Sequence, residues 1–151
     1  MAKTTRVNVT GLKELRAQLR ALGVDMTTKI ARSATNAGAQ VIRARAKELA
    51  PEAEEEHKLH GVVIKPGNLK KGIVVKRVRP SQTTLTSEHL VVVRGSRQYG
   101  FASRYGRLQE FGTVKMSPQP FMRPAFDQEK GFAVAAMVSK IRQRIAKAGK
   151  K

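Results

Sequence analysis

The segment Tyr105-Gly-Arg-Leu-Gln-Glu-Phe-Gly-Thr113, closely followed by Pro120-Phe-Met-Arg-Pro-Ala125, decides the reading of this chain. It concentrates aromatics, glycines and prolines in a short span and carries no catalytic signature. The pattern predicts a short helix from Arg104 to Phe111 that closes at Gly112, where glycine supplies a positive φ. Phe111 is expected to anchor the turn in the core, with Glu110 near basic groups such as Arg107 or Arg123. The functional alternative pairs Glu110 with Arg123 across a subunit boundary. Pro120-Phe121-Met122-Arg123-Pro124 is stiff, so it loses little entropy on binding and suits a docking element. The plainer alternative is that Phe121 covers the end of the core. Pro124 fits the first position of a final helix, where a missing N–H costs nothing.

That final helix is expected from about Pro124 to Ala148. Phe126, Val134, Val138, Ile141 and Ile145 form its apolar stripe, with Phe132 and Met137 beside it. Asp127 and Glu129 near its start and Lys140, Arg142, Arg144 and Lys147 toward its end suit the helix dipole. Upstream, Ile73–Arg79 and His89–Arg94 are β-branched runs bounded by turn residues and read as two antiparallel strands. Ser81 to Ser87 is the turn between them, or includes a further short strand. Gly95 to Ser103 reads as a loop with Tyr99 and Phe101 as apolar anchors.

In the first third, Arg6–Val9 alternates like a short strand. Leu12, Leu15, Leu19 and Leu22 stripe a first helix, with Thr10 and Gly23 as its caps. A longer helix is expected from about Thr27 to Leu49, capped by Asp25 or Thr27 and ended by Ala50-Pro51. Its narrow face is Ile30, Ala34, Ala37, Val41 and Leu49, widened by Ile42. Ala34, Ala37, Gly38 and Ala44 would let another backbone approach closely, while Lys29, Arg32, Arg43, Arg45 and Lys47 make most of the remaining surface cationic. Residues 52–66 read as a loop or hairpin insertion holding an acidic cluster, Glu52, Glu54, Glu55 and Glu56. The fold class is therefore α+β: a small antiparallel sheet packed with two long helices and one short N-terminal helix. Residues 1–151 make one domain, with a frayed basic tail at 148–151.

The 151 residues suffice for a single core, and the absence of cysteine excludes disulfides and thiolate metal sites. No run approaches the roughly 20 apolar residues that span a bilayer, and no membrane partner is expected. Thirty Lys and Arg against eleven Asp and Glu give a net charge of +19. Self-repulsion of this size calls for an acidic neighbour: nucleic acid, an acidic protein surface or an anionic membrane. His57, His60 and His89 lack a nucleophile elbow or a metal-ligand framework, and Gly95–Gly100 lacks the lysine of a phosphate-binding loop. No catalytic, cofactor-binding or metal residues are assigned. Arg94, Arg97, Tyr99, Phe101, Arg104, Tyr105 and Arg107 interleave cations and aromatics as a single-strand binder would, although the aromatics are more simply anchors.

The two motifs of the opening resemble the signature of the HK97-type tailed-phage gene product 10 family: Tyr-Ala-x-x-x-Glu-Phe-Gly-Thr, then Pro-Phe-Met-Arg-Pro-Ala. Val7-Asn-Val-Thr-Gly-Leu-Lys-Glu-Leu15, Ala46-Lys-Glu-Leu-Ala-Pro51 and Gly67-Asn-Leu-Lys-Lys-Gly-Ile73 are similar to other family segments, in the right order. Gly106 departs from the usual alanine, Gly72 from a common serine, and 52–66 from a short link. The resemblance implies a virion protein of the head–tail connector, a neck or tail-completion component made in the host cytoplasm, and not an enzyme. It implies a homo-oligomeric ring, six-fold or, nearer the portal, twelve-fold. Its neighbours would be head-completion and tail-terminator or tail-tube proteins, with packaged DNA in the channel. The assembly candidates are Tyr105, Glu110, Phe111, Gly112, Thr113, Pro120, Phe121, Met122, Arg123 and Pro124. The candidate contacts to nucleic acid or an acidic partner are Arg94, Arg97, Arg104, Arg107, Lys140, Arg142, Arg144 and Lys147. The competing reading is a basic, sequence-nonspecific nucleic-acid-binding protein.

Overall fold

A computed structural model describes residues 11–21, 23–59, 62–79, 86–95 and 102–148. The elements run α1 (Leu12–Ala21), α2 (Gly23–Leu49), β1 (His57–Leu59), β2 (Val62–Ile64), α3 (Asn68–Gly72), β3 (Ile73–Val78), β4 (Glu88–Val93), α4 (Ala102–Phe111) and α5 (Met122–Ala148). The expected strand at 6–9, Thr10, Leu22, Tyr99 and Phe101 lie outside the described residues. So does most of the turn between β3 and β4.

The β-branched runs pair as expected. β3 and β4 are antiparallel, in a register that sets Ile73 opposite Val93 and Val78 opposite Glu88. β1 and β2 form a second antiparallel ladder, with His57 opposite Ile64 and Leu59 opposite Val62, so the described part of the insertion has the pairing of a hairpin. Its acidic approach is tied to α3, where Glu52 meets Lys70 Nζ at 2.8 Å. It is not tied to the cationic surface of α2.

α2 is the backbone of the fold: one side packs on the β3–β4 sheet and another along α5. Ile30, Ala34, Ala39, Ala46 and Ala50 are buried along it, whereas Ala44 faces water. The main core gathers Ala46, Ala50, Leu69, Ile73, Phe121 and Ala125, bordered by Leu49, Val91, Val93, Tyr105 and Met122. Arg43 Nε donates to the Ile73 carbonyl at 3.1 Å and pins the start of β3 to α2.

α2 begins at Gly23, four residues before the expected Thr27. Gly23 is its first residue, so it does not cap the helix before it. Thr27 donates its hydroxyl to the Leu19 carbonyl at 3.0 Å. It therefore satisfies an acceptor at the end of α1 and does not cap its own helix. The leucine stripe of α1 is also only partly engaged, with Leu15 buried and Leu12 about half exposed.

The two long helices meet through small residues. A Cβ on Gly38 would lie 2.8 Å from Met137 Cγ and 3.1 Å from the Ala133 carbonyl oxygen. On α5 the fully buried residues are Ala125 and Ala133, and not the expected stripe. Val134, Val138, Ile141 and Ile145 are only half-buried. Phe126 and Phe132 face water, at 53% and 67% exposure. A close helix pair leaves no room for phenylalanine in the seam, so both rings are turned outward.

Where α2 meets the sheet, Thr35 holds a polar cluster. Its hydroxyl lies 2.9 Å from the Ala31 carbonyl, 3.0 Å from Ser87 Oγ and 2.9 Å from His89 Nδ1. The carbonyl can only accept, so it takes the Thr35 proton and His89 Nδ1 is the donor. Desolvation, and secondarily the nearby Arg77 charge, hold the His89 pKa below its ordinary value.

Two predictions follow from this packing. Gly38→Val drives a branched side chain into Met137 and the α5 backbone, and should cost on the order of 1–3 kcal/mol in urea unfolding. Because His89 binds its proton less readily folded than unfolded, its stabilising contribution is complete above the unfolded pKa of about 6.5. It is lost as pH falls from there toward the folded value. The melting temperature of the wild type should thus fall between pH 7.5 and 5.5 more steeply than that of His89→Gln.

Candidate functional site

The two sequence motifs come together where α4 ends and α5 begins. α4 closes at Gly112, whose φ of +73° is left-handed. Its N–H donates to the Leu108 carbonyl at 2.8 Å, satisfying one acceptor of the helix end. A Cβ there would stand 2.8 Å from the Met116 carbonyl oxygen and 2.9 Å from Pro118 N, both backbone atoms, so only glycine fits. The chain then makes a tight turn in which Thr113 and Met116 exchange backbone hydrogen bonds of 2.9 and 3.2 Å. The Gln119 N–H returns to the Gln109 carbonyl at 2.7 Å. The loop is thereby strapped along the end of α4, with Val114 fully exposed at its tip.

Glu110 ties this loop to α5. Its carboxylate accepts the backbone N–H groups of Phe121 at 2.8 Å, Met122 at 2.9 Å and Arg123 at 3.1 Å. Pro124 has no N–H, and Ala125 already donates to the Phe121 carbonyl at 3.2 Å. One carboxylate therefore meets every free donor at the start of α5, where the helix dipole also favours negative charge. Pro124 is the third helical residue and not the first. Its placement still follows the expected logic, because it removes a donor that Glu110 could not also reach.

Several expectations change here. Glu110 serves backbone groups of its own chain, and not the side chain of Arg107 or Arg123. Both arginines are exposed. Phe121 is the best-buried large side chain of the motif, at 1% exposure, and it covers the end of the core instead of docking. Phe111, expected in the core, is 67% exposed. Tyr105 borders the core and Met122 is half-buried beside it.

Between β4, α4 and the start of α5 lies an open hollow of about 610 Å³. Val92, Val93, Phe111, Met122 and Phe126 give it an apolar wall, and Arg107 and Arg123 stand at it. The sequence pointed to most of this rim but not to Phe126 or the β4 valines. Their role depends on which faces of α5 and the sheet remain uncovered, and that is a matter of tertiary packing. The glycines that depart from the family pattern lie at one contact beside the hollow. Gly72 faces Ala102, and Gly106 faces Leu69 and Val93, so α4 sits close against α3 and β4.

The cationic candidates do not form one surface. Arg94, Arg104 and Arg107 are exposed around α4 and the end of β4. Lys140, Arg142, Arg144 and Lys147 follow the start of α5 by enough turns to lie on the order of 25–35 Å away along the helix axis. Arg144 reaches Ser33 of α2 at 3.3 Å. Arg97 lies outside the described residues.

A family model matches residues 13–112, about two thirds of the chain, under the description "Bacteriophage HK97-gp10, putative tail-component". The chain belongs to this HK97-gp10-like family. It is thereby a phage tail component associated with the virion. Comparison with curated proteins and with solved structures gives no match. The matched segment contains α4 and Glu110 but ends at Gly112, so Pro120–Ala125 lies beyond it. The Glu110 bonds join this family segment to the helix that follows. No helix among the described residues is long and apolar enough to cross a membrane.

If Glu110 acts through the α5 backbone, Glu110→Ala should cost about 1–3 kcal/mol in denaturant unfolding, because buried or half-buried donors lose their acceptor. Glu110→Gln should fall between it and the wild type, since its NH2 group cannot accept. Arg123→Ala should stay within about 0.5 kcal/mol of the wild type. Equal losses from Glu110→Ala and Arg123→Ala would instead indicate a side-chain ion pair.

Proposed function

We infer that this tail component works at the head-proximal end of the tail, as a neck or tail-completion subunit in a homo-oligomeric ring. It would join head-completion proteins to the tail terminator or tail tube. The observation that carries this reading is the strapped α4–α5 junction. It is stiff before any partner arrives, and it offers exposed apolar residues (Phe111, Val114 and Phe126) beside exposed arginines. A preordered surface loses little conformational entropy on docking, which suits a joint whose task is assembly.

The charge supports an acidic environment. With +19 overall, identical subunits repel one another unless an acidic protein face or DNA stands nearby. Within α2, Lys47 is held below the ordinary lysine pKa by partial burial and, to a lesser degree, by Arg43. On that helix Glu48 meets Arg45 at 2.8 Å, whereas Arg43 and Lys47 have no carboxylate partner among the described residues. Charge of this kind steers encounter as well as binding. The same charge favours the competing reading of a nonspecific nucleic-acid binder. The division of the cations between two distant groups favours contact with more than one neighbour over a single continuous groove for nucleic acid.

Quantitative peptide mass spectrometry on gradient-purified particles separates the two readings. Six or twelve copies per particle are expected, as a ring on the tail axis requires. Absence from mature particles, together with duplex binding whose affinity falls steeply with salt, would replace the connector reading with the nucleic-acid one.

A further inference from the structure

The hollow beside α4 has a chemistry that specifies its occupant. Its wall is apolar, and its exposed Phe111 and Phe126 are large rings of the kind that dominate binding energy once covered. Arg107 and Arg123 are exposed at its rim and make no side-chain hydrogen bond or ion pair with the described residues. The carboxylate lining the hollow, Glu110, is committed to three backbone N–H groups. The rim is therefore cationic in effect as well as in composition. Exposed guanidiniums beside aromatic walls match a ligand with a large apolar side chain between carboxylates, since arginine forks onto carboxylates.

The chain itself supplies such a segment poorly. Its acidic run is Glu52-Ala-Glu-Glu-Glu56, in which Glu52 is held by Lys70 and alanine is the only apolar residue. A second copy would also bring a further +19. We propose that the hollow formed by β4, α4 and the start of α5 docks an acidic segment of a different virion protein. A large apolar side chain of that segment would fill the hollow, and flanking carboxylates would meet Arg107 and Arg123. This rests on the connector reading only for where the partner is found.

The test uses the full chain and a dye-labelled nine-residue peptide with a central Phe flanked by Asp and Glu. Saturable binding is expected, weakened at least ten-fold when the central Phe is replaced by Gly. The double variant Arg107→Glu/Arg123→Glu should weaken it as much while keeping the wild-type melting temperature. No saturable binding would overturn the proposal, as would binding indifferent to the Phe or full displacement of the peptide by duplex DNA. In purified particles, a photoreactive phenylalanine analogue in place of Phe126 should crosslink to an acidic, apolar-centred peptide of another protein. Crosslinking to a second copy, to DNA or to nothing overturns it. Copy number is read separately, so a ring with an empty hollow would sink this proposal and leave the connector reading intact.

Discussion

The constraint on which the candidate site depends is the start of α5. A long helix whose first turn abuts the core cannot leave its N–H groups without acceptors, because an unmet buried donor costs about 1–3 kcal/mol. Water cannot serve all of them here, since Phe121 and Ala125 are buried beside that turn. The chain solves this with one side chain. Glu110 stands near the C-terminal end of α4, where its charge is disfavoured by its own helix, and gains more at the N-terminal end of the next. The two helix ends are thereby held together, and the ten residues from 112 to 121 become a strap of fixed shape. Gly112 is the geometric condition for it, since any Cβ would strike the returning backbone.

A second constraint propagates from the α2–α5 pair. Helices that approach through glycine and alanine gain close packing but bury little apolar area per residue, at about 25 cal/mol for each Å². Stability must then come from elsewhere, and the cluster around Phe121 and Ile73 supplies it. The larger side chains excluded from the seam, Phe126 and Phe132, are left on the surface. One of them, Phe126, lands against the hollow formed by β4 and α4. The same close approach that fixes the helix pair thus also helps to create the apolar surface.

Much of the architecture was legible because local signals and tertiary demands agree. The β-branched runs became β3 and β4 with nearly the expected limits, and Gly112 closed α4 as a left-handed residue must. The stripe of α5 was misread because periodicity assumes that the larger apolar residues seek the interior. A seam selected for closeness inverts that order and favours Ala125 and Ala133. The start of α2 was misplaced because Thr27 looks like a cap for the residues after it. Its hydroxyl in fact serves the helix before it, and that choice depends on the angle between α1 and α2. The motif draws attention to Glu110, but its charge suggests basic side chains as partners, whereas its carboxylate accepts backbone N–H groups. Backbone donors leave no compositional trace, so three N–H groups eleven to thirteen residues away could not be seen.

The treatment of charge is the last link between fold and function. Four of the eleven acids are spent locally among the described residues: Glu110 on α5, Glu52 on Lys70 at 2.8 Å, Glu48 on Arg45 at 2.8 Å and Asp127 on Lys130 at 3.6 Å. Local use of acids stabilises the subunit without neutralising its surface. Repulsion between such exposed like charges is screened within about 10 Å at moderate salt. Covering those charges with a neutral surface is another matter, because desolvated arginines require carboxylates or phosphates. If the subunit assembles as proposed, its charge would bias the order of contacts in advance. On the docking proposal, acidic partners would be favoured at the α4–α5 junction, and copies of the chain disfavoured there unless something acidic lay between them. On the connector reading proposed above, a subunit with this distribution would stay dispersed until an acidic neighbour is presented, as a joint between separately built head and tail requires.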